Sequence, residues 1–154
     1  MGKDKTYYLG CKILLAAGIL YIVIGVFMVL FNQSPIFSIL DSLINPLFWD
    51  NQHLSQGTLN FKVFTWSFLG MFHIIWGTNI WYVTIYGLLK KKEAWAWRSI
   101  FITMVVWLTI DLYFSLSMKL YIIAFNPATG FFILFMLVPL VLTKKVLKQD
   151  KKKI

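Results

Sequence analysis

Acidic side chains are scarce in this chain of 154 residues, which has six Asp and Glu residues against fifteen Lys and Arg residues. It has a single cysteine, Cys11, so no disulfide can form within the chain. The familiar catalytic and nucleotide-binding motifs are absent, namely the P-loop, the Rossmann glycine pattern, HExxH, CxxC and GxSxG. We therefore expect no cofactor and no metal site.

Long apolar runs dominate the rest of the sequence. Hydrophobic residues make up 59% of it and the mean hydropathy is +0.72, more than a soluble core of this size needs. Each run is close to or beyond the length that crosses about 30 Å of hydrocarbon. We predict an all-α fold, one transmembrane domain over residues 1–154, built as a four-transmembrane-helix bundle with spans at about 9–31, 61–89, 97–125 and 127–147. The third span has an alternative end near Met118, but the turn signal at Asn126 and Pro127 favours the longer helix.

The basic residues lie at the ends of these spans. A net charge of +9 is compatible with nucleic-acid binding, but such proteins cluster their cations among aromatic residues on a folded surface, so we expect no nucleic-acid partner. Only Lys62 and Lys119 fall on the side opposite to the other lysines. The positive-inside rule then predicts a multi-pass protein of the cell membrane with both termini in the cytoplasm.

The first connection, residues 32–60, is too long for a tight turn. Polar residues recur in it at helical spacing, which predicts an amphipathic interfacial helix over about 34–45, with Ser34 as its N-cap. Asn45 and Pro46 are expected to end this helix. It should lie on the outer leaflet with Asp41 toward water and an apolar face toward the acyl chains, formed by Ile36, Leu40 and Leu43.

A few polar residues lie inside the predicted spans. Asp111 is near the middle of the third span, where a charged carboxylate costs about 2.5–3.5 kcal/mol. Helical spacing places Trp107 and Ser115 on the same face of that span, pointing into the bundle. His73 on the second span and Tyr21 on the first lie at a similar depth, so we predict a buried polar core of ligand-binding character.

His73 and Asp111 are expected to face each other. The short turn at residues 90–93 makes the second and third spans antiparallel neighbours, and the two residues lie about 18 positions before and after it. The pair is either a functional site or only an interhelical clasp. The first and second spans have small residues at helical spacing, which favours close packing of these two helices. They include Gly18 and Gly25 on the first span and Gly70 and Gly77 on the second.

The run from Gly87 to Trp97 has the order Gly-Leu, a basic cluster, Glu, and Trp-Ala-Trp. Together with Asp111 and Ser115 on the next helix and Pro139 to Thr143 on the last, it resembles a turn found in small, uncharacterised four-helix integral membrane proteins. The resemblance covers about half of the chain. It implies the four-helix fold and no activity. The long segment 32–60 departs from that pattern.

Three functions are compatible with these features. The first is a non-enzymatic bundle that binds membrane lipids, another small hydrophobic molecule, a partner subunit or a second copy of itself. The second is a small transporter or proton-coupled channel that uses His73 and Asp111. The third, an intramembrane lipid-modifying enzyme, ranks last because one acid and one histidine are few groups for acid–base catalysis.

Overall fold

The structure is a computed structural model that describes the backbone of residues 3–48, 54–119 and 127–150, and the side chains of 5–39, 41–42, 45–46, 48, 54–119, 130 and 133–144. Within these ranges it is helical and has no strand, so the predicted all-α class is confirmed. The helices are α1 (Lys3–Leu30), α2 (Pro35–Phe48), α3 (Gln56–Val83), α4 (Ala94–Ser117) and α5 (Pro127–Asp150), and α3 continues into a π-helical turn over Thr84–Leu89.

Two of these helices are long and apolar enough to cross a membrane. The qualifying segments are Lys5–Leu30 of α1 and Ala94–Ser117 of α4. The described apolar part of α5 is shorter, Ile133–Lys144. Helix α3 is long, but polar residues interrupt its apolar sequence in both halves, among them Asn60, Lys62, His73 and Asn79.

Helix α4 ends at Ser117, earlier than the predicted end near Phe125. Lys119 adopts a left-handed conformation, with φ 59, and its N–H donates to the carbonyl of Leu116 over 3.0 Å. This conformation turns the chain out of the helix. The alternative end near Met118 is therefore the one that the structure has, and residues 120–125 of the predicted span lie outside the described residues.

The amphipathic segment forms a helix where it is predicted, but the helix does not end at Asn45 and Pro46. It continues to Phe48, because a proline in the last turn removes only one backbone donor. At its other end the carbonyl of Ser34 accepts from the N–H of Phe37 over 3.0 Å. The Ser34 hydroxyl is buried and has no partner in the described part of the chain, so the predicted side-chain cap is not formed.

The chain packs as two compact units. The large unit comprises Met1–Ile19 and Thr78–Ile154, and the small unit comprises Leu20–Gly77. In the large unit the phenol of Tyr7 donates to the carbonyl of Leu88 over 2.7 Å, and the indole N–H of Trp97 donates to the carbonyl of Leu140 over 2.7 Å. These bonds tie α1 to the π-helical turn and α4 to α5. Its core contains Leu14, Ile100, Met104 and Met136.

The small unit is built around aromatic contacts between α1, α2 and α3. The ring of Phe37 on α2 lies 5.7 Å from the ring of Phe27 and 5.0 Å from that of Trp66. The amide of Asn32 donates to the hydroxyl of Ser67 over 2.9 Å. The connecting segment after α1 is therefore folded onto both long helices of this unit.

Candidate functional site

Helices α1 and α3 touch backbone to backbone in the small unit. A Cβ built on Gly25 would lie 2.5 Å from the carbonyl oxygen of Gly70, and one built on Gly70 would lie 2.7 Å from the carbonyl oxygen of Gly25. Any larger residue at either position would separate the helices. Close approach at this pair of predicted small residues brings the side chains of the adjacent turns into contact.

An aromatic and imidazole cluster lies one turn from this contact. The ring of Tyr21 stacks on the imidazole of His73, with centroids 5.4 Å apart and an interplanar angle of 19°. Trp76 meets the same phenol ring edge-on at 5.0 Å. The structure thus brings together Tyr21 and His73, two of the residues predicted for the polar core, and adds Trp76, which the sequence analysis did not single out.

The hydrogen bond of His73 fixes which imidazole nitrogen is available. Its Nδ1 lies 2.8 Å from the carbonyl oxygen of Leu69, one turn back on α3. A carbonyl can only accept, so Nδ1 carries the proton, and in the neutral ring Nε2 is left as a hydrogen-bond acceptor. The side chain is half-buried. The cluster, Tyr21, His73 and Trp76, therefore presents an imidazole acceptor beside a phenol, among aromatic rings.

Asp111, Trp107 and Ser115 lie on α4 in the large unit. Ser115 is buried, Asp111 and Trp107 are half-buried, and Ile110 and Leu112 beside the carboxylate are exposed. This is the burial order expected for a helix that turns its polar stripe toward the interior of its unit. His73 belongs to the small unit and Asp111 to the large one, and their predicted encounter stays a prediction.

A second polar cluster joins α2 to α3. The carboxylate of Asp41 accepts from the ammonium of Lys62 over 2.6 Å and from the indole N–H of Trp66 over 3.2 Å. Asp41 is only 8% exposed, so the prediction that it points to water is wrong. The sequence carries one signal for this contact, since Lys62 and Trp66 lie four residues apart on one face of α3.

The described side chains contain no group of three or more His, Cys, Asp and Glu residues that could hold a metal ion. The aromatic cluster has one imidazole and one phenol. Its chemistry is that of hydrogen-bonding groups in apolar surroundings.

No protein-family model, no curated protein and no solved structure matches the chain.

Proposed function

We propose that the protein is a multi-pass integral membrane protein, with α1, α3, α4 and α5 as its spans, that binds a small lipid-like molecule at the cluster of Tyr21, His73 and Trp76. The ligand carries a hydroxyl group, which donates to Nε2 of His73. The rest of the ligand is apolar and lies against the neighbouring aromatic and aliphatic side chains.

The distribution of exposed apolar side chains supports membrane embedding. Large apolar residues are exposed along the middle of every long helix, for example Val23 on α1, Ile75 on α3, Ile102 on α4 and Val141 on α5. Water would not tolerate so large a continuous apolar surface, whereas lipid does. Charged side chains are found mainly near the helix ends, as expected at the two membrane interfaces.

The observation that carries the ligand proposal is the orientation of His73. Its Nδ1 is occupied by the Leu69 carbonyl, and the stacked ring of Tyr21 holds the imidazole plane. An acceptor fixed in this way in a low-dielectric region favours a donor such as an alcohol. A hydroxylated lipid or similar amphiphile is the class of molecule that brings such a donor into a bilayer.

The test uses the purified protein in nanodiscs and a long-chain alcohol that carries a diazirine for photo-crosslinking. We expect the crosslinks to map to α1 and α3 around Tyr21 and His73. His73→Phe keeps a stacked ring but removes the acceptor, so the affinity should fall about tenfold, the value of one hydrogen bond in an apolar site.

Ile75→Val is the matched control, because Ile75 lies on the same helix and is 66% exposed. The affinity of the Ile75→Val variant for the alcohol should equal that of the unchanged protein. Equal affinities for His73→Phe and the unchanged protein, or crosslinks spread evenly over all helices, would show that the cluster is a packing contact only.

A further inference from the structure

Three ammonium groups lie over aromatic rings at one end of the large unit. This end, called the basic end below, consists of residues 5–12, 86–98 and 139–144. The Nζ atom of Lys90 is 4.2 Å from the ring centroid of Tyr86, that of Lys144 is 4.8 Å from Trp97, and that of Lys92 is 5.5 Å from Tyr7. Each distance is within the range of a cation–π contact.

Two of these three rings cannot turn away from their lysines. The phenol of Tyr7 is fully buried and bonded to the carbonyl of Leu88, and the indole of Trp97 is bonded to the carbonyl of Leu140. Trp97 also stacks on Phe101 at 5.0 Å. Lys92 and Lys144 therefore lie over rings of fixed orientation.

The backbone at Lys92 supports a role for its side chain. Lys92 follows the π-helical turn in a left-handed conformation, with φ 48, which favours glycine. Its N–H donates to the carbonyl of Leu88 over 3.0 Å, and that of Glu93 to the carbonyl of Gly87 over 2.8 Å, so the position closes the helix end as glycine commonly does. A lysine in this strained place puts an ammonium beside Tyr7 and Tyr8.

The charge of the basic end is strongly one-sided. Its other described cations are exposed, namely Lys5, Lys12, Lys91 and Arg98. Among the described side chains of this end the acidic one is Glu93, and its carboxylate accepts from the indole N–H of Trp95. Exposed apolar side chains adjoin these cations, including Leu9 and Trp95. An anion that binds here therefore lies between cations and a hydrocarbon-like surface. A lipid phosphate in a bilayer lies in the same kind of environment.

We propose that Lys90, Lys92 and Lys144, held over Tyr86, Tyr7 and Trp97, form a binding surface for the headgroups of anionic phospholipids in the adjoining leaflet. The rings of Tyr7 and Trp97 are its fixed elements. This surface is separate from the aromatic cluster of the small unit and shares with the proposed function only the membrane embedding.

The experiment is native mass spectrometry of the detergent-solubilised protein titrated with phosphatidylglycerol or with phosphatidylcholine of the same acyl chains. The unchanged protein should retain phosphatidylglycerol preferentially. The combined variant Lys92→Gly with Lys144→Met should lose at least fivefold of this preference, and raising the salt concentration should weaken binding in the unchanged protein.

Lys119→Gly is the matched control. Lys119 is the other described non-glycine residue with a positive φ, so this variant also removes one charge and relieves a left-handed conformation, but at the opposite end of α4. Its preference for phosphatidylglycerol should stay within twofold of the unchanged protein. Lys92→Gly relieves a left-handed backbone and Lys144 is exposed, so the combined variant should unfold at about the temperature of the parent. A loss of lipid then cannot be assigned to misfolding.

Equal loss in the Lys119→Gly variant, or no loss in the combined variant, would overturn the proposal. Displacement of phosphatidylglycerol by inorganic polyphosphate at equal phosphate concentration would do the same, because it would identify a soluble polyanion as the occupant. His73→Phe should leave the preference for phosphatidylglycerol unchanged. The alcohol site and the headgroup surface can therefore fail independently, the first in the crosslinking experiment and the second in the lipid titration.

Discussion

At the scale of single residues, one contact that admits no larger side chain lies where α1 meets α3. Gly25 and Gly70 lie so close that each one's carbonyl occupies the space of the other's missing Cβ. The obstacle is backbone rather than the flexible end of a side chain. Neither position can relax by a change of rotamer.

We therefore predict that Gly70→Ala destabilises the small unit. The added methyl group meets the Gly25 carbonyl oxygen at 2.7 Å, so the helices must separate, at a cost of about 1–3 kcal/mol. Gly57→Ala is the control, since the nearest atom to its new Cβ is the Ser55 hydroxyl at 3.8 Å; it should stabilise by about 0.4–1 kcal/mol. Thermal unfolding in detergent measures both. A stability of Gly70→Ala equal to that of the parent would argue against the close helix contact.

At the scale of elements, the apolar pattern of α2 does not by itself determine which of its sides is buried. Ile36 and Ile39 are exposed, while Asp41 turns toward α3 and bonds to Lys62 and Trp66. The helix is therefore fixed to α3 by a carboxylate with two donors. A carboxylate in this position keeps its charge compensated without water.

We predict that the Asp41 and Lys62 substitutions are strongly coupled. Asp41→Asn leaves the half-buried Lys62 ammonium without its counter-ion, and Lys62→Met leaves the buried Asp41 carboxylate with only the Trp66 indole as donor, so each should cost about 1–3 kcal/mol. The double variant should cost less than the sum of the two, because no lone charge is left. A double-mutant cycle on thermal stability measures this coupling. Strictly additive losses would mean that the ion pair does not hold α2 in place.

At the scale of the whole molecule, the orientation proposed for the protein depends on its lysine distribution. Lys62, one of the two lysines predicted for the sparsely charged side, is engaged with Asp41, while the basic end of the large unit has many exposed cations. For the proposed membrane protein, the positive-inside rule predicts that this basic end lies in the cytoplasm. We then expect both termini on that side of the membrane.

Labelling of introduced cysteines tests this orientation. In a Cys11→Ala background, Gln56→Cys should react with an impermeant maleimide added to intact cells, whereas Lys91→Cys should react only after permeabilisation. Both positions are exposed, so burial does not account for a difference between them. Cys11 itself is buried and contributes little background. The reverse pattern would invert the proposed topology.

The sequence alone predicted the elements whose signals are local. Apolar runs and helical periodicity specify α1, the helical class and the amphipathic α2, because each depends on residues a few positions apart. Sequence spacing likewise predicted that Gly25 and Gly70 lie on faces where helices pack closely. Part of the candidate site was predicted as well, since Tyr21 and His73 were assigned similar depths.

Tertiary structure decided the features that depend on a distant partner. An amphipathic pattern shows which face of a helix is polar, but not whether that face contacts water or an ion partner on another helix. The contact of Asp41 with Lys62 and Trp66 is therefore seen only in the tertiary structure. The end of α4 depends on the left-handed backbone of Lys119, which an apolar run does not encode. Sequence spacing specifies a depth and a face, whereas the stacking of Tyr21 on His73 depends on how closely two helices approach. The physical reason is that periodicity records only whether a side chain avoids a polar solvent, and the identity of its neighbour is set by packing between segments far apart in the chain.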